Sequence, residues 1–180
     1  KSVTNGEVDA SKLPMADLEY LFLQTRARSV GETVSVPLIC QADDVCSAVH
    51  AEQVDLTKVN VNTSEMSDSK IQIADNLIVE MIPPTAKVVH SLTGKSESDM
   101  VIPLMRACLT RIYDEEEVYE MSDHRDAEID EFVESLQVTQ FEKISDYFGS
   151  LPSLAHEVKW TCPECGGDNY QVIKGLDSFF

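Results

Sequence analysis

With 180 residues, 43% of them hydrophobic, the chain can build one compact core or two small ones and is too apolar for a charged disordered segment. Fourteen Lys and Arg against thirty-two Asp and Glu leave a net charge of -18, which would repel a phosphate backbone and argues against nucleic acid as a partner. No apolar run approaches the ~20 residues that a bilayer span needs, and residues 1–12 lack the charged-then-apolar order of a secretion signal.

Residues 1–12 read as a polar tail. Leu13 to Ser29 predicts a helix, with Met15, Leu18, Leu21, Phe22 and Thr25 on one face and Pro14 where a first-turn proline is tolerated. Asp17 and Glu19 in its early turns and Arg26 and Arg28 in its last complement the helix dipole, and Gly31 can end it in a left-handed conformation. Thr33 to Ile39 and Ala48 to Leu56 are rich in β-branched residues and flank a polar loop carrying Cys40 and Cys46, the pattern of a hairpin. Lys70 to Ala74 and Leu77 to Ile82 predict two more strands, with Asp75-Asn76 as their turn and Pro83-Pro84 as the stop. Residues 13–95 therefore read as one helix with a β-rich half that holds the first cysteine pair.

Residues 96–151 change character. Val101, Leu104, Met105, Cys108, Leu109 and Ile112 repeat at helical spacing after a Ser96-Glu97-Ser98-Asp99 start, with Pro103 forcing either a nearby start or a kink. Ile129, Phe132, Val133 and Leu136 form a second amphipathic face, and Thr139-Gln140-Phe141-Glu142 reads as a capping box for a third helix with Phe141, Ile144, Tyr147 and Phe148 inward. Between the first two lie four consecutive acids, Asp114 to Glu117, then Val118 to Met121 as a short strand or loop. Residues 152–180 close the chain with strands at Ala155 to Thr161 and Tyr170 to Lys174 around a second cysteine pair, and are expected to pack back on residues 33–56.

Cys162-Pro163-Glu164-Cys165-Gly166 is the most specific short pattern. Its Pro and Gly let the backbone turn tightly, so that both thiolates face one point and amides can aim at the sulfurs, which is half of what a tetrahedral zinc site requires. Cys40 and Cys46 are the best source of the other half, because each pair sits at the tip of a similar strand, cysteine pair, strand unit. The C-x5-C spacing of that first pair departs from the usual two to four intervening residues. Completion by His50 or His156, a knuckle without metal, and a Cys162 to Cys165 disulfide stay open as alternatives. The expected fold class is α+β: a small antiparallel sheet or zinc-ribbon-like unit formed from both ends of the chain, with an inserted helical subdomain and a structural zinc on Cys40, Cys46, Cys162 and Cys165.

Cys108 falls on an apolar helical face and reads as a buried small hydrophobe. The histidines are dispersed and form no H-E-x-x-H, and there is neither a G-x-S-x-G nor a glycine-rich phosphate loop, so no catalytic residues and no small-molecule substrate are expected. Asp123-His124 beside other acids is read as solvated surface, and the Phe179-Phe180 end as packing on its own domain. A zinc-ribbon adaptor of transcription and a thiol-redox protein are the rival functions, the latter requiring a helix after C-x-x-C that Gly166-Gly167-Asp168-Asn169 does not offer.

Leu13-Pro14, then Asp17-Leu18-Glu19-Tyr20-Leu21-Phe22-Leu23 and Arg26-Ala27-Arg28-Ser29-Val30-Gly31-Glu32, resemble the T4-type baseplate hub assembly proteins of contractile-tailed phages. Val54-Asp55-Leu56, Ile71-Gln72-Ile73, Val79 to Thr85 and the closing stretch from C-P-E-C-G to Phe180 fall in the order that family leads one to expect. The resemblance runs from Leu13 to the last residue and implies further helical sequence ahead, with residues 1–12 as its remnant. It implies a non-enzymatic subunit or assembly factor of the baseplate hub, bound to other phage baseplate proteins, in the virion tail or in the host cytoplasm during assembly.

Overall fold

The computed structural model describes residues 9–42, 46–63 and 67–180. The first half of the chain forms α1 (Met15–Ser29), β1 (Thr33–Ile39), β2 (Val49–Asp55), β3 (Asn60–Asn62), β4 (Lys70–Ala74), β5 (Leu77–Met81) and α2 (Ala86–Leu92). The second forms α3 (Glu97–Cys108), β6 (Leu109–Tyr113), β7 (Val118–Glu120), α4 (Asp126–Ser135), α5 (Val138–Gly149), β8 (Ser153–Thr161) and β9 (Asp168–Lys174). All strand pairs are antiparallel, so the protein is α+β, as the alternation of periodicities predicts. Among the described residues no helix is long and apolar enough to cross a membrane.

The chain divides into two compact units: the described parts of Lys1–Met15 and Ser64–Leu151, and those of Ala16–Thr63 and Pro152–Phe180. This partition differs from the one expected at residue 95, because β4 and β5 pair with strands of the inserted segment in a four-stranded sheet of order β4-β5-β6-β7. The insert is therefore mixed, with its own sheet, and begins near residue 64.

That sheet and the helices enclose Ile73, Val79, Met81, Met105, Cys108, Ile112, Ile129, Val133, Ile144 and Tyr147. Each buried aliphatic side chain of this kind contributes about 1.5–3 kcal/mol, which is what holds short helices such as α4 that would not persist alone. The helix expected to run through Ile112 stops at Cys108, and Leu109 to Tyr113 pair with β5 instead. Ile82 donates its amide to the Cys108 carbonyl at 2.8 Å, so pairing takes over where the helix ends. Across the three strands Arg111 lies opposite both Glu80 and Glu120 and bonds both carboxylates, at 3.3 and 2.6 Å. Tyr147, 1% exposed, donates its hydroxyl to the Met81 carbonyl at 3.3 Å and so satisfies its polar end inside the core.

Two helix starts differ from expectation. Before α5 the reciprocal box is Gln137 with Gln140, not Thr139 with Glu142, and Phe141 is left 36% exposed while Ile144 and Tyr147 are buried. Pro83-Pro84 does stop β5, but Thr85 then caps α2, its hydroxyl accepting from the Val88 amide at 3.4 Å.

The other unit pairs β1 with β2 and orders its second sheet β3-β8-β9. Its core joins Leu23, Val36, Leu38, Val54, Leu56, Leu154, Trp160, Ile173 and Phe179. The buried side of α1 is the row Ala16, Leu23, Ala27, not the face through Met15, Leu18 and Phe22. Leu23 and Ala27 of that row join the core, whereas Phe22 stays 52% exposed and meets Phe180 edge-on at 6.4 Å between ring centroids. Phe179 alone of the terminal aromatics enters the core, and the Gly175 amide, bonded to the Leu154 carbonyl at 3.0 Å, fixes the turn that delivers it.

Candidate metal centre

Both cysteine pairs sit where a hairpin runs out of register. In the β1-β2 ladder the last paired residues are Ile39 and Val49, and one further bond, Cys40 amide to Ala48 carbonyl at 2.9 Å, closes the base of the loop. That bond turns a spacing of five intervening residues into a short path across the hairpin, which is how an unusual C-x5-C pair can face one point. In the β8-β9 hairpin Thr161 pairs with Asp168, and the Cys162 amide bonds the Gly167 carbonyl at 2.8 Å. The Gly166 amide returns to the Cys162 carbonyl at 2.9 Å with Gly166 at φ 72, a left-handed position where a Cβ is costly.

The sulfurs of Cys40, Cys46, Cys162 and Cys165 all lie within 4.8 Å of one another. Cys40 and Cys165 are 3.7 Å apart and Cys46 and Cys162 3.9 Å, against the edge of about 3.8 Å that a tetrahedron with Zn–S bonds of about 2.3 Å would have. These contacts are far longer than the ~2.05 Å of a disulfide, and all five cysteines are free thiols. The donor set is chemically that of a thiolate metal site and could hold a metal ion. His50 and His156 lie outside this group: His50 is on β2, 3.6 Å from Glu52, and His156 is on β8 opposite Ile173.

Backbone amides two residues along reach three of the sulfurs: Ala42 at Cys40, Ala48 at Cys46 and Gly167 at Cys165. Such bonds favour thiolate, and at Cys40 the Ala42 amide and, after burial, Asn169 bring the thiol down to about 7. Cys46 is pushed up to about 12, because burial and the neighbouring thiols of Cys165, Cys40 and Cys162 outweigh the Ala48 amide. Four thiols in one cluster cannot all ionise without a cation between them.

Asn169 is the residue that sequence reasoning missed. It is 6% exposed, and its side chain spends every polar atom on the two loops: Oδ1 accepts the Gln41 amide at 2.7 Å, and Nδ2 donates to the Gly167 carbonyl at 3.1 Å and to Cys40 Sγ at 3.5 Å. Gly167 lies against Ala42 so closely that a Cβ on it would sit 2.5 Å from the Ala42 Cβ. Beyond Cys165 the chain enters β9 rather than a helix, so the positive helix terminus that activates C-x-x-C redox thiols is not built here. Cys108, apart from this group, is fully buried in the other unit and desolvation pushes its thiol up to about 12.

Two hairpins that each deliver a cysteine pair to one point define an α+β protein with a four-cysteine, metal-site-like β unit. Over residues 1–180 the chain matches the family model described as T4 bacteriophage base plate protein, and it belongs to that family. It is thus a structural protein of the phage baseplate class. No curated protein and no solved structure shows a significant match to it.

Proposed function

We propose that the protein is a non-enzymatic component of the baseplate hub of a contractile phage tail, as an incorporated subunit or an assembly factor, acting through contacts with other baseplate proteins. The observation that carries this reading is the family match across the entire chain. Surfaces and rigid elements, rather than a nucleophile, are what such work requires. Its place is the virion tail, or the host cytoplasm while the tail is being built.

Cys40, Cys46, Cys162 and Cys165 hold one structural zinc in this reading, supported by four sulfurs within 4.8 Å and by the amide bonds around them. Bound there, zinc supplies a cross-link between segments that lie more than a hundred residues apart. Asn169 holds Cys40 and the Gly167 turn in position for it.

Two measurements test the proposal. Phage lacking this gene product should accumulate tails arrested before a complete baseplate, visible by electron microscopy, and the wild-type chain supplied in trans should restore them. Normal tails without it would end the hub reading. Elemental analysis of the purified protein should give about one zinc per chain, lost on alkylation under denaturing conditions. Protein that folds identically with no metal and with all four thiols open to reagent would remove the zinc.

A further inference from the structure

The unit that carries the four-stranded sheet has a surface pocket of ≈ 160 Å³ lined by Ile112, Tyr119, Met121, Ile129 and Phe132, with His124 and Glu128 at its polar side. A volume near 150 Å³ accepts a benzene ring, so this one takes a branched or unbranched aliphatic side chain of leucine size. Its floor is the well-packed core, since Ile112, Met121 and Ile129 are each 8% exposed or less. Its frame is the β6-β7 hairpin and α4, and between Leu109 and Ser135 these elements carry eleven acidic residues against two arginines, Arg111 and Arg125.

That charge is presented outward. Glu115, Glu116, Glu117 and Asp123 are exposed. Asp114 accepts the amides of Glu116 and Glu117 at 2.8 and 2.7 Å and the Tyr119 hydroxyl at 3.0 Å, which ties the acidic turn to a residue of the pocket wall. The pocket supplies apolar area at its centre and a net negative charge at its edge, where Arg125 pairs with Glu128 at 2.6 Å and Asp123 and the Glu115 to Glu117 turn supply the acidic excess, the arrangement of an anchor site with an electrostatic rim.

We propose that this pocket docks a basic segment of a partner protein, seating one leucine- or methionine-sized side chain among Ile112, Tyr119, Met121, Ile129 and Phe132 while flanking lysines or arginines meet the acidic rim. The inference rests on the reading of the chain as a binding protein of the baseplate and names the chemistry of one partner surface. Charge complementarity selects the occupant: a second copy of this chain, at net charge -18, would bring like charge to the rim.

The test uses the full-length protein and fluorescent peptides in which a central leucine is flanked on each side by three lysines, followed by anisotropy. The leucine peptide should bind at least about tenfold more tightly than the same peptide with serine at the centre. Its affinity should fall several-fold between about 50 mM and 500 mM salt. His124→Trp, an exposed substitution that fills the pocket, should abolish the leucine advantage while leaving lysine-driven attraction. Glu128→Lys with Asp123→Lys should weaken both peptides, and Glu32→Lys, which lines no part of the pocket, neither. Equal binding of the leucine and serine peptides, or a leucine advantage that survives His124→Trp, overturns the proposal. A chain that still joins its baseplate complex with the pocket filled and the peptide excluded leaves the hub role standing and removes only this site.

Discussion

Asn169 and Cys40, 129 residues apart in sequence, meet through an amide hydrogen at 3.5 Å from the sulfur. The same carboxamide bonds Gln41 and Gly167, so one buried side chain ties the two cysteine loops together. Asn169→Leu leaves the Gln41 amide and the Gly167 carbonyl without their partner. The expected cost is about 1–3 kcal/mol of stability in that unit, with zinc affinity about 10–100-fold lower in chelator competition. Urea unfolding followed at Trp160, the single tryptophan, reads this unit directly.

Gly167 and Gly166 should fail differently. Gly167→Ala drives a Cβ to 2.5 Å from Ala42 and must push the loops apart, at about 1–3 kcal/mol together with weakened metal retention. Gly166→Ala meets no neighbour within 4 Å but keeps a left-handed φ of 72, at about 1–2 kcal/mol. Zinc retention against a chelator, measured alongside unfolding, separates loop separation from local strain.

Neighbouring phenylalanines at the end of the sequence make a sharp contrast. Phe179 is 1% exposed within the core, and Phe179→Ala should cost about 3–5 kcal/mol. Phe180 is 57% exposed, its ring 4.7 Å from the Arg26 guanidinium, and Phe180→Ala should cost no more than about 1 kcal/mol. Equal losses in the Trp160-monitored transition would contradict this burial.

The Tyr113 hydroxyl, and after it Arg111, hold the Glu80 carboxyl below the usual carboxylate range in spite of its burial. A depressed folded value contributes stability that is complete above the unfolded value and lost as pH falls through the folded one. Tyr113→Phe should therefore lower the urea midpoint of this unit at pH 7. The gap between variant and wild type should narrow below the usual carboxylate range and close once Glu80 is protonated in both. A gap that is constant from pH 7 down to about pH 2 would mean that Tyr113 acts by packing alone.

Much of the site was legible because cysteine is a rare residue and its spacing is informative. C-x-x-C with Pro and Gly fixes a local turn, and the repeated strand, pair, strand unit points to the partner loop. Asn169 was not legible, since an Asn after Gly-Gly-Asp reads as turn, and only its placement beside Cys40 makes it a buried group bonded to both cysteine loops. Strands β1 and β4 follow from runs of β-branched and alternating residues. The end of α3 does not, because Cys108, Leu109 and Ile112 fit an i, i+1, i+4 helical pattern as readily as a strand, and the choice is made by β5, which supplies a pairing edge. The buried face of α1 is hard to read for a related reason: large apolar side chains dominate its sequence, yet the enclosed residues are Ala16, Leu23 and Ala27.

The division of the β unit between residues 16–63 and 152–180 sets an order of events during synthesis. Once Leu23, Val36, Leu38, Val54 and Leu56 have been made, their partners Leu154, Trp160 and Phe179 are still about a hundred residues or more away, a delay on the order of ten seconds at about 5–20 residues per second. The inserted unit can complete its own core within that interval. A nascent chain therefore carries an unsatisfied apolar surface and two unmatched thiols until its final stretch emerges, and this interval is when a chaperone has most to cover.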